Sequence, residues 1–275
     1  MTVPWLPSGT TQGADEPTHA SIVIYGKAGV GKSYLVKQFC NDIHEKEPYH
    51  NDEVLVWMAE NATTTYGVPL PNIRKVKSIE DVRKSAIECV LAARDGKLMP
   101  RVAFLDSLSG VLDYQMADYQ ANPMTSSKTG NRDKLAEYGD LGGQVIDLMM
   151  LFRDDLPFDV ITLVTTYEQG GRPPELAVPG KMTPKNLTRL TTQALYMIAE
   201  GGVEDADVIK KLGKKAEAPH RTVGKDEYGD PDGHIINRIF LTQDSGEVFA
   251  KGNDHLTLRE RAILPNVLRK IHSKE

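Results

Sequence analysis

The sequence predicts an α/β fold in which a mostly parallel sheet is flanked by helices and followed by a C-terminal β-hairpin and helix. Short, nearly uninterrupted apolar runs alternate with amphipathic segments through the first two thirds of the chain. That alternation is typical of a parallel sheet that helices cover on both faces. A glycine-rich turn also joins the first apolar run to the first amphipathic segment. Ligands of such folds bind at the carboxyl ends of the strands, so we expect the functional site at that edge.

The elements follow one another in chain order. Strands are predicted over residues 21–25, 54–59, 101–105 and 160–165, and helices over 32–46, 78–94, 107–122 and 132–152. Ser78, with acidic residues after it, is the expected N-cap of the second helix. Beyond a Gly/Pro-rich loop at 168–184 we expect a helix at 186–193, a strand at 194–199, and a hairpin of strands 234–242 and 247–252. A helix over 256–274 would be kinked or interrupted by Pro265.

Composition divides the chain into three parts. Residues 1–18 are rich in Pro, Gly, Thr and acidic residues, which predicts a flexible N-terminal arm. Residues 19–255 predict one α/β domain, and residues 256–275 a helical C-terminal tail. The 33 basic and 38 acidic residues leave a net charge of −5, which argues against a surface coated with positive charge for nucleic acid. No run approaches the ~18 apolar residues of a membrane span and no signal pattern begins the chain, so we expect a cytoplasmic protein without a membrane partner.

The stretch Gly26-x-x-x-x-Gly31-Lys32-Ser33 has the spacing of a P-loop between a strand and a helix. Glycines allow backbone conformations that a Cβ would forbid, so successive N–H groups can point into one concavity. The amino end of the following helix adds partial positive charge. The pattern predicts a loop that binds the phosphates of a nucleoside triphosphate, rather than a turn that only connects two elements. The residues expected to line it are Gly26, Lys27, Ala28, Gly29, Val30, Gly31, Lys32, Ser33 and Tyr34.

Within this loop, Lys32 would reach the β- and γ-phosphates and the Ser33 hydroxyl would ligate Mg²⁺. Four apolar residues precede Asp106, which places its carboxylate at the carboxyl end of a buried strand. A carboxylate at that position would complete the protein side of the Mg²⁺ shell. The alternative is that Asp106 caps the helix that follows.

Hydrolysis also needs a group that orients and polarises a water molecule. Glu60 is the candidate because it ends the second predicted strand, and its alternative is a surface carboxylate at a strand end. Thr165 and Thr166, at the polar end of the strand 160–165, are candidate sensors of the γ-phosphate. Threonine also favours strands by propensity alone, so the pair has a purely structural interpretation as well.

Three strand ends together resemble those of the RecA-like P-loop ATPases. The stretch "VLVWMAEN" looks like the family's strand that ends in a catalytic glutamate, and "VAFLDSLSGVL" is similar to its Walker B strand. The stretch "VITLVTTYEQGG" resembles the strand that ends in a sensor and runs into a DNA-binding loop. The likeness covers roughly residues 20–255 and looks like that of the short RecA-like or AAA-type ATPases of bacteriophages, of the single-strand annealing recombinase type.

The resemblance implies a RecA-like ATPase domain over residues 19–255 that binds and hydrolyses Mg-ATP, with Lys32, Glu60 and Asp106 as catalytic residues. It also implies a homo-oligomer, either a ring or a filament. In the family a basic residue from a neighbouring subunit completes the ATP site. Lys251, in an Ala-Lys pair on the late hairpin, is the corresponding residue here, and its alternative is a solvated lysine on an edge strand.

Single-stranded DNA is the partner that the resemblance implies, with a single-strand-binding protein as a further one. The setting would be phage-type DNA recombination, repair or replication, in the host cytoplasm if the chain is phage-encoded. Basic residues of the loop and of the helix beyond it would contact the phosphates in a salt-sensitive way. They are Arg172, Lys181, Lys185 and Arg189.

Two other functions also fit a P-loop. A nucleotide-dependent protein switch or loader would bind ATP without DNA-stimulated turnover. A small-molecule P-loop kinase would pass the γ-phosphate to an acceptor and usually carries an Arg-rich lid. Residues 125–185 hold only three arginines, namely Arg132, Arg153 and Arg172.

Overall fold

A nine-stranded sheet forms the centre of the computed structural model, which describes residues 19–40, 53–59, 72–97, 99–167, 175–178, 183–200, 237–243, 250–252 and 256–272. The strands within these ranges are β1 Ser21–Gly26, β2 Val54–Met58, β3 Ile73–Lys75, β4 Val102–Asp106, β5 Asp159–Tyr167, β6 Glu175–Leu176, β7 Gln193–Glu200, β8 Asn237–Leu241 and β9 Arg259–Arg261. The helices are α1 Tyr34–Cys40, α2 Ile79–Arg94, α3 Leu108–Ala121, α4 Lys134–Asp154, α5 Thr183–Leu190 and α6 Leu264–His272.

The strand order is β3-β2-β4-β5-β1-β7-β8-β9, with β6 paired to the end of β5. Neighbouring strands from β3 to β7 are parallel, whereas β8 and β9 are antiparallel at one side of the sheet. The predicted fold class, a mostly parallel sheet flanked by helices, is therefore confirmed. Because β1, β4 and β5 run in the same direction, their carboxyl ends lie at one edge, which we call the site edge.

Apolar runs without alternation explain why the sheet is buried on both faces. Every residue of β1, β2 and β4 is buried. One core packs α2, α3, α4 and α5 against the first face, where the rings of Trp57 and Phe152 stack at 5.3 Å. The second core packs α1 and α6 against the other face, where Phe39 and Phe104 meet edge to face at 5.5 Å.

Helix starts are fixed by side-chain caps. Ser78 is the N-cap of α2, as its sequence predicts: the amide of Asp81 donates to Ser78 Oγ, and the amide of Ser78 donates to Asp81 Oδ2, both at 3.1 Å. This reciprocal pair is a capping box, which satisfies backbone donors that the first turn leaves open. Ser107 and Asp133 cap α3 and α4 in the simpler way.

The C-terminal segment belongs to the sheet and its core, so the expected helical tail over 256–275 needs correction. Residues 259–261 form β9, and Leu256 and Leu268 are buried in the same core as α1. The helix begins only at Leu264, and Pro265 stands in its first turn rather than at a kink. Proline is tolerated there because the first amides of a helix have no partner within the helix.

The antiparallel strand pair at the C-terminus is present, but its pairing differs from the prediction. β8 pairs with β9, not with residues 247–252 as expected from the turn signal; of those residues the structure describes 250–252. Lys251 instead forms an isolated antiparallel bridge with Ala194, near the start of β7. The turn signal at 243–246 identified a chain reversal but could not identify the partner strand, because pairing depends on distant residues.

The loop expected over 168–184 is partly ordered. Its residues Glu175 and Leu176 form β6, which pairs antiparallel with the end of β5, and Leu176, Ala177 and Val178 are buried. This return explains the apolar stretch that separates its two basic residues. No helix in the described part of the chain is long and apolar enough to cross a membrane.

Candidate functional site

The P-loop follows β1 at the site edge and lies between the ends of β5 and β7. Gly26 is in register with Thr165 of β5. A Cβ at Gly26 would lie 2.5 Å from the main-chain oxygen of Met197 in β7, so the loop can leave the sheet here only without a side chain. Gly29 and Gly31 have φ angles of +77° and +99°, in the left-handed region that glycine adopts without steric cost.

Lys32 lies against the inside of this loop. Its side chain is buried, and Nζ donates to the main-chain oxygens of Gly26 at 2.9 Å and Lys27 at 2.7 Å. An ammonium group held in this way is positioned where phosphate oxygens could replace the two carbonyl acceptors.

Ser33 and Asp106 are brought together from different parts of the chain. The Ser33 hydroxyl donates to Asp106 Oδ1 at 3.1 Å, and Asp106 is buried at the end of β4. The cap of α3 is supplied by Ser107, whose Oγ accepts from the Gly110 amide at 3.1 Å. The alternative role considered for Asp106, capping that helix, is therefore filled by its neighbour; the peptide bond between the two residues is cis.

The predicted sensors lie at the end of β5, beside the P-loop. The amide of Thr165 donates to Ser109 Oγ at 2.9 Å, which links this strand end to α3. Thr166 is buried, and its Oγ1 makes no hydrogen bond among the residues that the structure describes. A buried hydroxyl without a partner is costly, so the Thr166 side chain has an unused donor next to the P-loop.

Lys251 lies away from the P-loop of its own chain. Its bridge partner Ala194 is level with Val23 of β1, three residues before Gly26, or about 10 Å along the strand. Its Nζ donates to the main-chain oxygen of Thr191, which precedes β7 at the opposite edge of the sheet. A catalytic role for Lys251 would therefore require the site of a neighbouring subunit.

Arg238 is the basic residue that β8 brings to the P-loop, and the sequence analysis did not find it. It pairs with Ala199, beyond the level of the P-loop glycine, because β8 runs antiparallel to β7. Its Nε donates to the main-chain oxygen of Val30 at 2.9 Å, and its guanidinium carbon lies 5.1 Å from the ring centroid of Tyr34. An arginine at the start of a strand that follows a long segment carries no local signal for this position.

Several predicted site residues fall outside the described residues. They are Glu60, Arg172 and Lys181, together with the side chain of Lys185. Ala59, which directly precedes Glu60, donates its amide to the main-chain oxygen of Asp106 at 2.8 Å, so the chain enters residue 60 beside the carboxyl end of β4. Arg189 is exposed on α5.

A metal at this site would depend on few protein ligands. Among the described residues, no group of three or more His, Cys, Asp or Glu side chains is arranged to hold a metal ion. Ser33 Oγ and Asp106 Oδ1 nevertheless provide two adjacent oxygens. This fits Mg²⁺, which commonly takes one or two protein groups and fills its shell with water and phosphate oxygens.

The P-loop after a central strand, with a buried aspartate reaching its serine from β4, defines the class: a RecA-like P-loop ATPase fold. A family model described as "AAA domain" matches residues 18–227, more than half of the chain. The chain therefore belongs to this AAA domain family, a family of ATPases. A search of curated proteins finds no match.

Three solved structures are similar at low identity. One is a prototypical ATPase from the type III secretion system of pathogenic bacteria, with 14% identity over 69% of this chain and 53% of that one, and a TM-score of 0.39. The RadB recombinase has 13% identity over 66% and 74%, with a TM-score of 0.34. The third is an isolated ATPase domain with 11% identity over 86% of each chain and a TM-score of 0.39. The chain thus spans about half the length of the secretion ATPase.

Proposed function

We propose that this chain binds Mg-ATP at the P-loop and hydrolyses it. The observation that carries the proposal is the 3.1 Å hydrogen bond between Ser33 Oγ and Asp106 Oδ1. It joins the last polar side chain of the P-loop to a buried carboxylate at the end of β4, which are the two groups that hold Mg²⁺ in P-loop ATPases. Both residues would ligate the ion, and bound Mg²⁺ would neutralise charge on the β- and γ-phosphate oxygens.

The protein's own groups divide the remaining work. Amides of the P-loop, freed by the φ angles of Gly29 and Gly31, would bind the phosphates. Lys32 Nζ would exchange its two carbonyl acceptors for phosphate oxygens. The unused hydroxyl of Thr166, with Thr165 beside it, would detect the γ-phosphate, and Glu60 would orient the attacking water.

We further propose that turnover is coupled to single-stranded DNA, in DNA recombination, repair or replication of the phage type. The resemblance of the strand 160–165 and its following loop supports this role. Arg189, exposed on α5, supports it too. The other proposed phosphate contacts are Arg172, Lys181 and Lys185. The chain would act as a homo-oligomer, with the Lys251 of one subunit reaching the ATP of the next.

The test is phosphate release from Mg-ATP with and without single-stranded DNA, at low and moderate salt. The wild type should release phosphate faster when DNA is added, and less so at moderate salt, because phosphate contacts weaken as salt rises. Lys32→Ala should abolish release under both conditions. The matched control is Lys84→Ala, which removes an exposed lysine of α2 remote from the P-loop.

Each other outcome selects a different function. Release that DNA does not stimulate at low salt would contradict the coupling to DNA and leave the ATPase. Tight ATP binding without release would favour the nucleotide-dependent switch or loader. Transfer of the γ-phosphate to an added nucleoside or nucleotide, in place of free phosphate, would favour the kinase.

A further inference from the structure

Arg238 contacts the P-loop from its outer side. Its Nε donates to the main-chain oxygen of Val30 at 2.9 Å. In a trans peptide, the carbonyl of Val30 and the amide of Gly31 belong to one plane and point in opposite directions. If the Gly31 amide faces the phosphates, as amides of a P-loop do, Arg238 holds the same peptide group from behind.

This position has an electrostatic consequence. A charged donor on a carbonyl oxygen polarises the peptide group, which makes the amide on its other side a stronger donor. The guanidinium also adds a full positive charge close to the loop, on the side that no phosphate occupies. Arg238 would therefore strengthen phosphate binding without touching the nucleotide.

The surroundings of the guanidinium are shaped for arginine. Gly31 leaves the space that it fills, because a Cβ at residue 31 would overlap Arg238 Nε. The ring of Tyr34 lies 5.1 Å from the guanidinium carbon, within the range of a cation–π contact. The planar guanidinium can donate to Val30 and lie over Tyr34 at once, which the compact ammonium of lysine cannot reproduce.

We propose that Arg238 is a positioning residue for nucleotide binding, which fixes and polarises the Val30–Gly31 peptide and ties the P-loop to β8. This inference rests on the proposed binding of Mg-ATP. It assigns the antiparallel strand β8 a role in the site of its own chain, where Lys251, farther along, has none.

The test compares wild type, Arg238→Gln and Arg238→Lys for equilibrium binding of a fluorescent ATP analogue with Mg²⁺, and for KM and kcat. We expect a roughly tenfold higher Kd and KM for Arg238→Gln, with kcat within about twofold, since one lost charge-assisted hydrogen bond is of that size. Arg238→Lys should recover only part of the affinity. Arg259→Gln, an arginine of the adjoining strand β9, is the matched control and should bind as wild type does.

Competition by inorganic tripolyphosphate distinguishes the phosphate side from the base. Tripolyphosphate should lose affinity for Arg238→Gln by the same factor as ATP, because the affected peptide faces phosphate. An unchanged tripolyphosphate affinity would overturn the inference, and so would an unchanged Kd for ATP. If Arg238→Gln unfolds, Arg238→Lys decides by the same readouts, with circular dichroism reporting its fold.

The two proposals fail separately. A wild-type protein that binds no Mg-ATP would contradict the proposed function and, with it, the role of Arg238. A wild type that binds Mg-ATP, beside variants of Arg238 that bind it equally well, would leave the proposed function intact and overturn only the inference.

Discussion

Gly26 and Gly31 are both P-loop glycines, but different neighbours require the absence of a side chain at each. At Gly26 the constraint is the backbone of β7, whose Met197 oxygen would lie 2.5 Å from an added Cβ. At Gly31 the constraints are its own φ of +99° and the side chain of Arg238. A side chain can move aside and a central strand cannot, so the two positions should respond differently to substitution.

Gly26→Ala should therefore destabilise the whole domain. The alanine methyl would force β1 and β7 apart at the centre of the sheet, and overpacking of this kind costs about 1–3 kcal/mol. Urea unfolding followed by circular dichroism measures the change in the free energy of unfolding. An unchanged unfolding midpoint would show that β7 yields at Met197 and would contradict this account of Gly26.

Among elements, α4 carries glycines with no such constraint. Neither Gly139 nor Gly143 has a φ angle in the left-handed region, and an added Cβ would meet no atom within 4 Å at either position. Glycine within a helix is less favourable than alanine because its backbone loses more conformational freedom on folding.

Gly139→Ala should stabilise the protein by about 0.5–1 kcal/mol, the usual difference between glycine and alanine inside a helix. The same urea experiment measures it, and Gly143→Ala provides a second, equivalent position. Loss of stability with both variants would mean that this face of α4 packs against something in solution, such as another copy of the chain.

The loop between α3 and α4 is another element that contacts order. Arg132 donates to the buried Glu137 carboxylate, with Nη2 to Oε2 at 2.8 Å, and the Met124 amide donates to the same side chain. The hydrogen bond from Arg132 lowers the pKa of Glu137 below its usual value. This carboxylate therefore holds both ends of a polar segment that the sequence patterns predicted only as a loop.

At the scale of the whole molecule, the two ends of the described chain meet at the start of β5. His272 Nε2 of α6 lies 3.0 Å from both carboxylate oxygens of Asp159, and Asp159 Oδ1 accepts from the Ala20 amide at 2.7 Å. The hydrogen bond with Asp159 raises the pKa of His272 above its ordinary value, against the opposing effect of burial.

This contact makes part of the stability depend on pH. Because the pKa of His272 is raised by folding, its contribution is fully present below the unfolded value of about 6.5 and is lost as pH rises through the folded value. Urea unfolding of wild type and His272→Gln at pH values from well below to well above that unfolded value measures it. The wild type should be the more stable at the acid end, and the difference should shrink as pH rises. A difference that is constant or grows with pH would contradict the role of His272.

The sequence predicted those parts of the fold that have a local cause. Apolar runs identified the buried strands, and an apolar run that ends in Asp106 identified the carboxylate that meets Ser33. Arg238 could not be found in this way, because its position depends on how β8 pairs with β7. Lys251 and Pro265 were misplaced for related reasons: one depends on strand pairing, and the other on where a helix begins.

The most direct test of the Mg-ATP site is phosphate release by Asp106→Asn beside wild type, with Lys84→Ala as the matched control. The amide of asparagine can keep the hydrogen bond to Ser33 but lacks the charge that holds Mg²⁺. We expect release by wild type and Lys84→Ala, and a rate lower by about a hundredfold or more for Asp106→Asn at equal folding, since metal-held phosphoryl transfer loses several kcal/mol of transition-state stabilisation. Release by Asp106→Asn at the wild-type rate would contradict the assignment of Ser33 and Asp106 as the magnesium site.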